Sequence, residues 1–245
     1  LSEPLGDVDG PGVIPAVLER IAALEPGALP PVTGTPRLGP CIARPGKILG
    51  IGLNYRDHAR ETGARAPQRP IVFAKAVTAV CGPDDDLLCP VDAEQLDWEV
   101  ELGVVVGSRA RRVAESQALA HVAGYCVVDD VSERDWQKNH GGQFIKGKSH
   151  DTFCPLGPWL VTADEVADPG GLRLWTEVNG ERMQDGDTAE MIFGVAALIS
   201  HLSHYLTLEP GDVIATGTPA GVGLGMQPPR FLRPGDRVRL GIEGL

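Results

Sequence analysis

The sequence predicts a β-rich α+β fold, and three observations carry that expectation. Glycine (31) and proline (21) make up about a fifth of the 245 residues, a turn-rich composition. Aromatic residues are sparse at 5% while apolar content is ordinary at 42%, which disfavours a helical bundle. Turn signals also punctuate short strand-like runs: Asn179-Gly180, and two Pro-Gly-Asp turns at Pro210-Gly211-Asp212 and Pro234-Gly235-Asp236. The length suits one large domain or two small ones.

Residues 1–45 are Pro- and Gly-rich with one short helical pattern, Pro15 to Leu24, and read as a small N-terminal element plus a linker. Lys47 to Leu53 reads as a buried strand. Asn54 is then expected to cap a helix from Tyr55, which places His58 and Glu61 at i and i+3 on one face. A carboxylate beside an imidazole fixes its tautomer and raises its basicity, as a general base requires. Alone, the pattern reads more readily as a surface helix of mixed charge. Ile71 to Lys75 is a further strand. Asp84-Asp85-Asp86 has the wrong spacing for an EF-hand loop and reads as a solvated turn.

Asp97 to Val106 is the stretch on which the rest turns. As one strand it puts Asp97, Glu99 and Glu101 on one face and Trp98, Val100, Leu102, Val104 and Val106 on the other. Neighbouring carboxylates repel one another, more so when buried, and a divalent cation is the simplest way to hold them together. Oxygen donors suit Mg²⁺, Mn²⁺ or Ca²⁺ rather than zinc. A strand with one solvated acidic face is the alternative.

A helix over 114–123 should end at Gly124, followed by a buried strand, Tyr125 to Val131, that runs into Asp129 and Asp130. Asp130 is the candidate third ligand. Arg134 and Gln137, again i and i+3, can offer planar donors to a substrate carboxylate. A lysine in the Gly-flanked Lys146-Gly147-Lys148 loop can meet a developing oxyanion, although two lysines around a glycine also make an ordinary solvated turn.

Thr188 is expected to cap a long helix with Met191, Ile192, Val195, Leu198, Ile199, Leu202 and Leu206 on its core face. Thr216 to Gly225 is a glycine loop able to approach a ligand closely, and it lacks the Gly-Lys-Ser/Thr of a P-loop.

The net charge of −11 argues against nucleic acid or an anionic membrane as partners. No apolar run approaches the ~20 residues of a membrane span, and no signal peptide is visible. Five cysteines without a Cys-x-x-Cys pair read as reduced, mostly buried residues of a cytoplasmic protein. The sequence begins at Leu1 without Met and stops in strand-like residues, so both ends read as truncated.

Five ordered motifs together resemble the fumarylacetoacetate hydrolase family over about residues 45–245. They are Gly52-Leu53-Asn54-Tyr55 with His58 and Glu61, Trp98 to Leu102, Asp129 to Asp135, Lys146-Gly147-Lys148, and Thr216 to Gly223. The resemblance implies a catalytic domain over 46–245, built as a mixed β-roll of stacked sheets with flanking helices, usually a homodimer. It implies Mg²⁺ or Mn²⁺, sometimes Ca²⁺, held by Glu99, Glu101 and Asp130. His58 and Glu61 match a water-activating dyad on a lid-like segment, and Lys148 a lysine beside the reacting carbonyl. Tyr55, Arg134, Gln137 and Thr216 match substrate-binding positions. Asp129 stands where many relatives have Asn.

The activity so implied is metal-dependent hydrolysis of a C–C bond in a 2,4-dioxo acid, releasing pyruvate and a second acid in a catabolic setting. The context of Met191-Ile192-Phe193-Gly194 and Gly221 to Gly225 resembles the branch acting on 2,4-dioxo-3-deoxy sugar acids. Oxaloacetate decarboxylation and keto–enol tautomerisation use the same groups and are the alternatives. A binding module without catalysis would not need ligand triad, dyad and lysine together.

Overall fold

The computed structural model describes residues 10–245. The first nine residues of the expected N-terminal element lie outside the described residues. The helices are α1 (Pro15–Ala22), α2 (Arg56–Glu61), α3 (Arg134–Asn139), α4 (Ile145–Lys148) and α5 (Val195–Tyr205). The strands are β1 (Ile48–Gly52), β2 (Ile71–Lys75), β3 (Val80–Cys81), β4 (Leu96–Asp97), β5 (Val100–Val106), β6 (Val122–Asp129) and β7 (Ser132–Glu133). There follow β8 (Cys154–Pro155), β9 (Val161–Thr162), β10 (Arg173–Val178), β11 (Glu181–Asp187), β12 (Val213–Ala215) and β13 (Val238–Ile242).

Six strands form a mixed sheet in the order β2-β1-β12-β5-β6-β9, and three form a second sheet, β11-β10-β13. The pairs β3–β8 and β4–β7 complete the strand pairing. These are the mixed sheets with flanking helices that the sequence predicts.

Alternation assigns the two faces of the large sheet. Val100, Leu102, Val104 and Val106 of β5, Tyr125 and Val127 of β6, and Ile214 of β12 face one core. That core also holds Leu174 from the second sheet and Val195, Leu198, Ile199 and Leu202 from α5. Val105, Cys126, Val128, Val213 and Ala215 face a second core with Trp98, Phe153 and Leu156. Val13 and Ile42 are fully buried in that second core, with Leu18 packed against it, so the N-terminal segment rests on the same body.

Several local expectations change. Asp97 to Val106 is not one strand, because side chains replace the ladder partners at its start. The Trp98 amide donates to Asp97 Oδ1 (2.9 Å), that of Glu99 to Asp129 Oδ1 (3.0 Å) and that of Val100 to Gln184 Oε1 (3.0 Å). Trp98 thereby turns to the second core while Val100, Leu102, Val104 and Val106 face the first.

Asn54 does not cap α2; Tyr55 occupies that position. Asn54 instead accepts from the Phe193 amide (2.9 Å) and donates to Phe193 O (3.0 Å) and Thr216 O (2.7 Å), locking three segments together. The helix expected over 114–123 is a 3₁₀ turn, Glu115–His121, and Gly124 lies inside β6 rather than ending a helix. Thr188 opens a short 3₁₀ turn capped by Asp187, while α5 starts only after Gly194. Met191 pairs instead with Tyr55 in an isolated bridge. β13 ends at Ile242 and a turn follows, so the final residues are not strand.

The hairpin at Asn179-Gly180 forms with both residues at positive φ (54° and 82°), as a type I′ turn requires. All five cysteines are free, with Cys81, Cys126 and Cys154 buried. Asp85 of the acidic turn pairs with Arg37 (2.6 Å) at the surface. Among the described residues no helix is long and apolar enough to cross a membrane.

Candidate active site and metal centre

The strand break before β5 gathers carboxylates. Glu99, Glu101 and Asp130 are all buried and each offers an oxygen within 4.8 Å of the others. Asp97 is diverted from this set: its carboxylate accepts from the Gly223 (2.7 Å) and Leu224 (3.0 Å) amides and from Arg134 Nε (2.8 Å).

Cations answer most of this charge. Lys148, on the short α4 rather than in a loop, donates to Glu99 Oε2 (2.7 Å) and Asp130 Oδ2 (2.6 Å). Arg134 Nη1 pairs with Glu99 Oε1 (2.6 Å). Lys75, fully buried at the end of β2, donates to Asp130 Oδ1 (2.5 Å). Burial alone would raise the Glu99 pKa, but Lys148 and Arg134 hold it below the usual carboxylate range. Burial works against a charged Lys148 too, yet Asp130 and Glu99 keep its pKa above the ordinary value.

Glu101 is the exception. It has no ion pair among the described residues, only the Gly217 amide at 2.8 Å. Burial, then the Asp130 and Glu99 charges, drive its pKa well above the ordinary carboxylate value. Behind it, burial pushes the Asp129 carboxyl up to about 7. Three convergent, all-oxygen donors with one carboxylate lacking a counter-charge fit a hard divalent cation.

The dyad forms across the cleft from these acids. His58 Nδ1 lies 3.0 Å from Glu61 Oε2, leaving Nε2 as the nitrogen available to water. Glu61 Oε1 in turn accepts from the Gly221 amide (2.8 Å). The glycine loop, whose Thr218 and Leu224 line the cleft, spends its amides on the protein's own carboxylates. Its amides at Gly217, Gly221, Gly223 and Leu224 cradle the carboxylates of Glu101, Glu61 and Asp97. A Cβ on Gly225 would stand 2.3 Å from Glu61 Cδ. Gly225→Ala should turn the Glu61 carboxylate off His58 and lower kcat about tenfold or more, part of the 10²–10⁴ that a positioned base supplies. Steady-state kinetics beside a metal titration check this, since metal affinity should stay unchanged.

A cleft of about 270 Å³ joins these groups; it is lined by His58, Glu99, Glu101, Arg134, Gln137, Lys138 and Lys148 among polar residues. Its apolar walls include Leu53, Ile71, Phe73, Phe144 and Leu224. The Phe73 and Phe144 rings meet at a tilt of 57° with centres 5.6 Å apart, and Lys148 Nζ lies 5.2 Å from the Phe73 ring centre. Arg134 Nη1 also donates to Gln137 Oε1 (3.2 Å), while its buried Nη2 has no partner among the described residues.

The structure thus brings together His58, Glu61, Glu99, Glu101, Asp130, Arg134, Gln137 and Lys148. It does not bring Tyr55 or Thr216 to the cleft wall. Tyr55 is fully buried in the core, its hydroxyl without a partner among the described residues, and burial raises its pKa well above the usual phenol value. The Thr216 hydroxyl donates to Leu102 O (2.9 Å) and stitches the glycine loop to β5.

Sequence reasoning missed Lys75, which appears only as the polar end of an apolar strand. It also missed Gln184, whose amide joins Val100, Thr176, Thr218 and Pro219. Lys138 and the Phe73–Phe144 wall were likewise unmarked.

The family model described as fumarylacetoacetate (FAA) hydrolase C-terminal matches residues 47–245. A Burkholderia multivorans protein named "Putative hydrolase" is 55% identical over 246 residues, covering all of this chain and 87% of its own. The structure of fumarylacetoacetate hydrolase from psychrophilic Exiguobacterium antarcticum superposes with a TM-score of 0.84 at 41% identity, covering 91% of this chain and 80% of that one. That of 2-hydroxyhepta-2,4-diene-1,7-dioate isomerase from Mycobacterium marinum gives 0.75 at 39% identity, covering 91% and 82%. With the motifs, the fold and these likenesses in agreement, the chain belongs to the fumarylacetoacetate hydrolase family.

Proposed function

We propose that this protein is a metal-dependent hydrolase that splits the C3–C4 bond of a 2,4-dioxo acid into pyruvate and a second acid. The observation that carries the reading is a histidine–carboxylate dyad facing a buried carboxylate triad and a buried lysine across one cleft. Glu99, Glu101 and Asp130 would hold Mg²⁺ or Mn²⁺, with Ca²⁺ as a further option. The ion, when bound, supplies Lewis-acid polarisation of the substrate's oxygens.

The chain's own groups account for the remaining chemistry. The unpartnered Arg134 Nη2 and the Gln137 amide orient the substrate carboxylate. Tyr55 and Thr216, matched by resemblance to substrate positions, act from behind the cleft wall by fixing its shape. His58 Nε2, held by Glu61, takes a proton from water as the oxygen attacks C4. The C3–C4 bond then breaks, its electron pair leaving on C3 as the enolate of pyruvate. Lys148 faces the developing negative charge, and the proton held by His58 is available to C3.

A second reading, tautomerisation without water attack, is favoured by the likeness to proteins named isomerases. Decarboxylation of oxaloacetate would need the same groups. The reading also takes the protein as a cytoplasmic homodimer.

Turnover with Mg²⁺ or Mn²⁺ on acetylpyruvate, a 2,4-dioxo-3-deoxy sugar acid and oxaloacetate, followed by mass spectrometry, tests this. Pyruvate plus a second acid is the expected result from a dioxo substrate. Carbon dioxide from oxaloacetate alone, or isomerised substrate alone, would overturn hydrolysis.

A further inference from the structure

Val100 lies between two of the triad carboxylates, Glu99 and Glu101, and side chains from elsewhere in the chain hold both of its backbone groups. Its amide donates to Gln184 Oε1 (3.0 Å), and its carbonyl accepts from Thr218 Oγ1 (2.9 Å). Gln184 Nε2 in turn donates to that same Thr218 oxygen (2.8 Å), which closes a ring of three hydrogen bonds around one residue. Gln184 is fully buried and Thr218 nearly so, at 4% exposure.

The ring has no slack. Gln184 Oε1 also accepts from Thr176 Oγ1 (2.9 Å), and Nε2 also donates to Pro219 O (3.0 Å), so the amide has used all four of its hydrogen-bonding positions. Only one orientation satisfies it, because the Val100 amide can only donate and Pro219 O can only accept.

A β-bulge sets Gln184 against the glycine loop. The register of β10 and β11 shifts between Thr176 and Glu177, leaving Met183 without a pairing partner. A Cβ on Gly221 would collide with Met183 O, and one on Gly186 with Pro219 Cβ, so strand and loop meet backbone to backbone. The same loop puts the Gly217 amide on Glu101 Oε2 (2.8 Å) and the Gly221 amide on Glu61 Oε1 (2.8 Å).

We infer that Gln184 is a positioning residue for the carboxylate centre: acting through Thr218 and the Val100 backbone, it sets the spacing of Glu99 and Glu101. It touches neither the substrate nor the triad oxygens. The assignment rests on the metal-centre reading given above for those carboxylates.

Gln184→Met should weaken Mg²⁺ or Mn²⁺ binding to the folded protein about 10–100-fold, the effect of removing a group that orients metal ligands. Thr218→Val should do the same, and Thr218→Ser should keep wild-type affinity. The double variant should lose little more than either single one, because both open the same ring. Thr176→Val takes a hydrogen bond from the same glutamine and leaves the ring closed, so it should lower Tm with metal affinity unchanged. Calorimetric titration and thermal unfolding in EDTA read the two effects separately. A lowered Tm with wild-type affinity in Gln184→Met would make the residue purely structural and overturn the inference. An affinity loss in Thr176→Val equal to that in Thr218→Val would overturn it too.

Amide hydrogen exchange in EDTA needs no metal and separates this from the metal reading. Gln184→Met should speed exchange at Gly217, whose amide reports the Glu101 carboxylate, about tenfold or more relative to Val104 in mid-strand. That result upholds the positioning role even where wild type binds no metal. Unchanged relative exchange at Gly217 rejects it, whatever the metal affinity.

Discussion

Glu101→Gln is expected to weaken Mg²⁺ or Mn²⁺ binding about 100-fold or more, roughly 2.7 kcal/mol, without destabilising the metal-free protein. The reasoning separates Glu101 from its neighbours. Removing the Asp130 carboxylate would strand the buried Lys75 ammonium and take one of its two carboxylates from Lys148. Removing that of Glu99 would take one of its two carboxylates from Lys148 and the only carboxylate from Arg134 Nη1 among the described residues. Breaking such buried pairs typically costs about 3–5 kcal/mol, so those variants confuse loss of metal with loss of fold.

Glu101 has no cation to strand, and Gln keeps an oxygen for the Gly217 amide at the same reach. Its raised pKa means that the charged form is disfavoured by the fold. In a group of that kind the stability present below the unfolded pKa is lost as pH rises, so at neutral pH a neutral amide should raise the metal-free Tm or leave it unchanged. Calorimetric metal titration and thermal unfolding in EDTA read the two effects separately. Wild-type metal affinity in this variant would mean that the triad is not the metal centre. A large fall in the metal-free Tm would mean that Glu101 has a structural partner.

Much of this architecture is legible in the sequence because it depends on local chemistry. Period-two alternation assigns the faces of β5 correctly from Val100 onward, and Asn179-Gly180 specifies its turn through positive φ. The i and i+3 spacings of His58 with Glu61 and Arg134 with Gln137 survive folding, because α2 and α3 each run through both positions.

What fails to be legible depends on partners distant in sequence. The strand through Asp97 breaks because Asp129 and Gln184, 30 and 84 residues further on, take the amides that a ladder would have used. Asn54 looks like a helix cap by type and position, but hydrogen bonds to Phe193 and Thr216 claim it. The glycines after Thr216 suggest a ligand loop, and backbone amides near anions are what such loops offer. Here the anions are the protein's own carboxylates, which spacing alone cannot reveal. Lys75 carries no local signal at all, since its meaning comes from Asp130, 55 residues away.

The dyad gives the other large effect. His58→Ala should lower kcat by about 10²–10⁴ while metal affinity and Tm stay near wild type. The imidazole lies at the cleft wall, and its one side-chain partner is Glu61, which keeps the Gly221 amide when the ring is gone. None of the triad carboxylates, Lys75 or Lys148 bonds to it, so the metal centre should be indifferent to its loss. Because Glu61 acts only through His58, adding Glu61→Gln to His58→Ala should cost little more, whereas independent roles would multiply. The product distribution decides between the two readings of the site. If His58 activates water, both variants should lose the second acid, and any tautomer exchange at C3 should persist at a measurable rate. If cleavage survives at more than about a tenth of the wild-type rate, water is activated elsewhere, and the dyad is a positioning element for an enolate-forming enzyme.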